Sequence, residues 1–131
     1  MLRVKILGTI ICVLISFVFS APIEVRIAIS KRDIYDGQTG QGACGYTDSD
    51  SDPVVAVSQS IYGGGGYCDR WMQITNTANG QSQYGKIRDE CEGCGRYDID
   101  LSSSLFQSLG ADLSQGMLQV EWDFMDKDFS P

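Results

Sequence analysis

The sequence contains no histidine. That absence removes the usual general base near neutral pH and the commonest metal ligand. Ser–His–Asp triads, Cys–His pairs and histidine-bound zinc are thereby excluded. Basic residues are also few: 10 Lys and Arg stand against 17 Asp and Glu, a net charge of −7. A nucleic-acid binder needs a basic face to neutralise phosphates, so no nucleic-acid partner is expected. The chain has no internal repeats and no long linker, and its 131 residues are enough for one ordinary domain. Glycine, by contrast, is plentiful at 15 residues.

The N-terminus reads as an address. Arg3 and Lys5 precede an apolar run from Ile6 to Phe19. Small residues, Val18 and Ser20, stand where a signal peptidase reads them, and Pro22 would block a cut after Ala21. Residues 1–20 are therefore expected to be a secretory signal peptide. The run is shorter than the about 20 residues of a bilayer span, so no membrane contact is expected once it is removed. For residues 21–32 two readings stand side by side. Lys31–Arg32 is a dibasic pair that could release a short pro-segment. Val25, Ile27 and Ile29 alternate with Arg26, Ala28 and Ser30, which is the pattern of a half-buried first strand.

Cys12 leaves with the signal, and Cys44, Cys68, Cys91 and Cys94 remain. In an exported small domain, an even set of cysteines reads as two disulfides. A four-thiolate zinc site is the rival, but Cys44 and Cys68 form no second Cys-x-x-Cys, and no metal is expected. A redox role for Cys91-Glu92-Gly93-Cys94 is disfavoured by Glu90 and Glu92, whose charges oppose a thiolate.

The remainder reads as short strands with one helix. Val54 to Val57 is a brief apolar run, Trp71 to Ile74 a second strand, and Asn79–Gly80 a turn. Gln83 to Arg88 forms a third strand, weakened by Gly85. Ser102 is placed as an N-cap before Leu105, Phe106 and Leu109, and Gly110 ends that helix. Leu118, Val120, Trp122 and Phe124 alternate with polar residues in a closing strand. Trp71 and Trp122 are assigned to the core. The Gly63–Gly66 loop is read as a flexible link, since it lacks the Lys–Ser/Thr pair of a phosphate loop. The acidic run Thr47–Asp52 is read as a solvated turn with Asx-type bonds, not a calcium loop. Many short strands and one small helix point to a compact β-barrel.

Two stretches carry a family resemblance. Tyr35-Asp36, Gly42-Ala43-Cys44-Gly45-Tyr46 and Val55-Ala56-Val57-Ser58 resemble the opening of a double-psi β-barrel domain. Asp89-Glu90-Cys91-Glu92-Gly93-Cys94 and Asp98-Ile99-Asp100-Leu101-Ser102 resemble its second half. The chain is similar to the secreted fungal branch of the rare lipoprotein A-like, barwin-like and expansin-like superfamily. The resemblance implies an all-β, disulfide-stapled, six-stranded double-psi β-barrel with one or two short helices, over residues 33–126. It also implies the pairing Cys44–Cys68, which leaves Cys91–Cys94 as a local bridge.

The same resemblance nominates site residues. Asp100 matches an Asp that lies in an open groove in expansins and family 45 glycoside hydrolases. Asp89 matches a second groove Asp of expansins, and Asp36 resembles the second catalytic Asp of the hydrolases. Inverting hydrolysis needs a protonated and an ionised carboxyl about 6.5–9.5 Å apart, which would make Asp100 the acid and Asp36 the base. Tyr35 and Tyr97 would stack on sugar rings beside Asp36, Asp89 and Asp100. The bland reading is that Asp100 favours the nearby helix dipole, Asp89 bonds backbone, and the tyrosines pack with their phenols satisfied.

This sequence also departs from the family pattern. Asp33 and Ile34 replace a Thr and an aromatic, Asp98 replaces the His of the expansin His-Phe-Asp motif, and the lytic His is missing. The favoured expectation is thus a secreted, monomeric, non-catalytic module that binds cell-wall polysaccharide without a cofactor. The alternatives are a secreted protein that binds a protein target, such as an inhibitor of papain-type proteases or an effector, and an enzyme. The enzyme would be a weak glycanase or a riboflavin-aldehyde-forming type of oxidase.

Overall fold

The structure, a computed structural model, describes residues 26–29 and 41–131. The expected signal peptide, Lys31–Arg32, Tyr35 and Asp36 lie outside the described residues. Six strands are β1 (Arg26–Ile29), β2 (Val54–Ser58), β3 (Trp71–Asn76), β4 (Ser82–Cys91), β5 (Ile99–Leu101) and β6 (Met117–Phe124). Two short helices are α1 (Gln59–Tyr62) and α2 (Ser103–Ser108), and a single 3-10 turn spans Leu113–Gln115. None of the described helices is long and apolar enough to cross a membrane.

The strands pair in the order β1-β5-β2-β4-β3-β6, and β6 pairs back onto β1 to close the ring. Two pairs are parallel, β1 with β5 and β2 with β4; the others are antiparallel. The ring includes Arg26–Ile29, ahead of residue 33. Closure leaves every strand with two neighbours, which removes the exposed edges that invite aggregation.

The sequence pattern explains which face of each strand turns inward. In β6, Leu118, Val120 and Trp122 are buried while Gln119, Glu121 and Asp123 are exposed. In β3 the inward residues are Met72 and Ile74, so Trp71 has the outward parity and is only half-buried. Trp71 therefore does not belong to the core, contrary to the sequence expectation, whereas Trp122 does. Strand β2 is buried along its whole length, which its run of Val54-Val55-Ala56-Val57 suits. Among the described residues, β5, α1 and the 3-10 turn are additions to the elements expected from the sequence.

Helix α2 plugs the barrel with Leu105 and Phe106. Ser102 stands at its N-cap, but its hydroxyl does not cap the helix. Instead it donates to the Asp52 carbonyl at 2.6 Å. Leu105 enters the barrel opposite Gly85. A Cβ on Gly85 would lie 2.5 Å from Val55 Cγ2 and 2.7 Å from Leu105 Cδ2. Gly85 is thus the vacancy that the helix fills, not merely a weak point in β4. Gly85→Ala is expected to cost about 1–3 kcal/mol through overpacking. A lowered urea midpoint at unchanged m-value would show it.

Disulfides join Cys44 to Cys68 and Cys91 to Cys94, with Cα–Cα distances of 5.6 and 5.4 Å. The first ties the loop before β2 to the segment entering β3. The second closes a tight turn at the end of β4.

Candidate functional site

The site residues follow from strand register. Ile99 and Leu101 of β5 point into the core, so the intervening Asp100 takes the outer side. Asp100 pairs with Ala56 of β2, and Ala56 pairs on its other side with Asp89 of β4. Asp100, Ala56 and Asp89 therefore form one row across three neighbouring strands, an alanine flanked by two aspartates. Two strand spacings put the aspartate backbones about 10 Å apart. The register shifts between Val55 and Ala56, and this irregularity is what brings Asp89 into the row.

The two aspartates are used differently. Asp89 Oδ1 accepts the Ala43 N–H at 2.8 Å and its neighbour Glu90 N–H at 2.8 Å. Asp89 thus anchors the Gly42–Tyr46 turn on β4, assisted by Cys44 N–H donating to the Arg88 carbonyl at 3.2 Å. The approach is close enough that a Cβ on Gly42 would lie 2.7 Å from the Arg88 carbonyl oxygen. Asp100 is buried, at 2% exposed, so it does not lie in the open groove that the resemblance implies. Asp36, nominated as the base, and Tyr35 lie outside the described residues. The pairing of Asp100 with Asp36 therefore reaches beyond the described residues.

The tyrosines are largely spent on packing. Tyr62 donates its phenol to the Ala43 carbonyl at 3.0 Å, and Tyr46 donates to Asp69 Oδ2 at 3.0 Å. Tyr97 is half-buried against the core, with Arg96 5.3 Å from its ring centroid, and its carbonyl accepts Trp122 Nε1–H at 2.9 Å. Tyr67, 37% exposed, stacks on Phe124 with centroids 4.5 Å apart. Asp98 accepts the Ile27 N–H at 3.1 Å, tying the turn before β5 to β1.

Beside the aspartate row lies a feature that sequence reasoning missed. Val54 of β2, Lys86 of β4 and Trp71 of β3 pair in a second row. They line a surface groove of about 240 Å³ together with Asp48, Asp52, Pro53 and Arg88. Its wall is fixed by Arg88, whose guanidinium sits 3.7 Å from the Tyr46 ring centroid. Arg88 Nη1 lies 3.0 Å from Asp69 Oδ1, and Nε lies 3.8 Å from Asp48 Oδ2. The Asp69 pair is a charge contact without hydrogen-bond alignment, since Nη1 and Nε of Arg88 are buried with no aligned acceptor. Asp69 reaches this position from a backbone φ of +67°, a region that Asp tolerates better than most residues. The parity of Trp71 against Met72 and Ile74 was the available signal: a tryptophan on the wet side of a strand.

The fold has solved counterparts. An expansin of Clavibacter michiganensis, solved as a mutant in complex with cellohexaose, superposes at a TM-score of 0.66. It covers 82% of this chain and 52% of its own, at 22% identity. The Streptomyces papain inhibitor superposes at 0.63, over 76% of this chain and 91% of its own, at 26% identity. The fold is that of the expansin-like double-psi β-barrels. Sequence relatives of this expansin-like barrel include ripening-related protein 6 of rice (Oryza sativa subsp. japonica). It is 35% identical over 94 residues, covering 66% of this chain and 56% of its own. The papain inhibitor of Streptomyces mobaraensis is 29% identical over 113 residues, covering 81% and 78%. The chain spans about half the length of the plant relatives it matches. No protein-family model matches it.

Proposed function

We propose that this expansin-like barrel is a secreted, non-catalytic module that binds a cell-wall polysaccharide. The carrying observation is the Asp89–Ala56–Asp100 row on the outer face of a barrel shared with an expansin solved with cellohexaose. Ala56 and Asp100 are buried in this row and Asp89 is its partly exposed member, so Asp89 marks where the row meets the surface. Asp89 is committed to backbone N–H groups, which suits positioning of the Gly42–Tyr46 turn rather than proton transfer. Tyr35, Asp36 and Tyr97 join the binding set in this reading. Export fits two disulfides in a small domain. The net charge of −7 favours a neutral glucan or chitin over an acidic pectin.

The test is sedimentation with insoluble cellulose, chitin and yeast-type glucan. Wild type is expected to bind one of them, and Asp100→Asn to reduce the bound fraction at least tenfold with the unfolding midpoint held. Wild-type protein left wholly in the supernatant on all three would end the glycan reading.

A second reading has its own support. The papain inhibitor of Streptomyces mobaraensis is matched over most of both chains, as a single barrel of similar extent. In this reading the exposed loops, not the aspartate row, form the contact with a papain-type protease. Inhibition of papain that survives Asp100→Asn would select it.

A further inference from the structure

We propose that the groove lined by Trp71, Lys86 and Asp52 is a subsite for one ring of a neutral glycan. The proposal rests on the glycan reading above and extends the site beyond the aspartate row. Four observations carry it.

The first is the indole. Trp71 is half-buried on the outer side of β3, and its large flat side chain forms one wall of a cavity of about 240 Å³. Such a ring offers broad apolar contact to the C–H face of a pyranose. Pro53 and Val54 add apolar surface beside it. A second observation is charge. The groove carries Lys86 and Arg88 against Asp48 and Asp52, so its lining charges balance. A balanced lining favours a neutral, hydroxyl-rich ligand over an anion or a cation.

The third observation separates structural charges from available ones. Arg88 and Asp48 are engaged in the wall with Asp69 and Tyr46. Lys86 makes no ion pair among the described residues, and its ammonium rests 5.6 Å from the Trp71 ring centroid. Asp52 holds Ser49 N–H at 2.8 Å and the Ser49 hydroxyl at 3.2 Å, both through Oδ2. Its Oδ1 accepts no hydrogen bond among the described residues. The Lys86 ammonium over the indole and Asp52 Oδ1 thus give the groove one donor and one acceptor, a pairing that matches vicinal hydroxyls, each both donor and acceptor.

The fourth is continuity. Val54 lies two residues before Ala56 on β2, a step of about 6.6–7 Å. The groove and the aspartate row therefore lie on the same side of β2, with Asp89 the partly exposed member of the row on the groove's own strand β4.

The chain has only two tryptophans, and Trp122 is buried in the core. Iodide quenching therefore reports on the more exposed Trp71, and the difference from Trp71→Phe isolates its emission from that of Trp122. Titration with cellohexaose and chitohexaose is expected to shift the emission and to protect Trp71 from iodide, and Trp71→Phe should abolish that response. Trp71→Ala and Lys86→Ala are each expected to weaken binding by about 5–30-fold, the factor that corresponds to about 1–2 kcal/mol. The unfolding midpoint of Lys86→Ala controls for misfolding. Binding that persists at wild-type affinity in both variants, yet falls with Asp100→Asn, overturns the subsite and leaves the glycan reading standing. Wild type that binds neither these oligosaccharides nor the insoluble polymers overturns both.

Discussion

Phe106→Ala is expected to lower the stability of the barrel by about 3–5 kcal/mol, the range for emptying a buried aromatic site. Phe106 has no exposed surface and is the largest fully buried side chain among the described residues. It comes from α2, a helix of six residues. A helix that short has no independent stability and persists through what it packs against. Removing the ring therefore also loosens the element that seats Leu105 opposite Gly85. Equilibrium urea unfolding would show a lowered midpoint at unchanged m-value. The matching change Phe129→Ala, at a half-buried ring tilted against Tyr84 with centroids 4.9 Å apart, is expected to cost far less.

Replacing both Cys44 and Cys68 with Ser is expected to cost about 3.5 kcal/mol, on the chain-entropy account of a cross-link. The bond spans a sequence separation of 24, so its removal frees a long loop in the unfolded chain. Cys91–Cys94 spans a separation of only 3, and the same account assigns it about 2 kcal/mol. The ordering is the sharper result. Should the Cys91/Cys94 double Ser variant unfold first in guanidinium, the native turn after β4 would be contributing more than loop closure. The first bridge also bears on the site, because Cys44 belongs to the turn that Asp89 anchors.

How much of this was legible in the sequence depended on element length and burial. Strands β3 and β6 show alternation because one face is wet, and α2 shows its apolar stripe. Strand β5 is three residues long, too short for the alternation Ile99-Asp100-Leu101 to register as a period. The helix α1 has four residues, too few for any periodicity to register. The irregularity beside Ala56 inserts Arg88 out of step, and no count along Lys86-Ile87-Arg88-Asp89 places Asp89 opposite Ala56. The family resemblance nominated Asp89 and Asp100. Their common row, and the burial of Asp100, come only from register and packing. A large aromatic on a strand suggests the core by residue type, but the parity of Trp71 against Met72 and Ile74 turns it outward.

The position of β1 has a consequence for the dibasic pair Lys31–Arg32. β1 is the stave between β5 and β6, bonded to both. A cut after Arg32 would sever its covalent link to the remainder and leave its place held noncovalently, by the strand hydrogen bonds and the packing of Ala28 among them. Were the stave then to leave, β5 and β6 would present two open rows of N–H and C=O groups, the condition for donor-strand complementation. A synthetic peptide carrying Arg26–Ile29 would be the natural donor, and another copy's first strand the competing one. Processing at that pair would thus turn a self-contained barrel into a noncovalent assembly of two fragments, able to exchange its first strand.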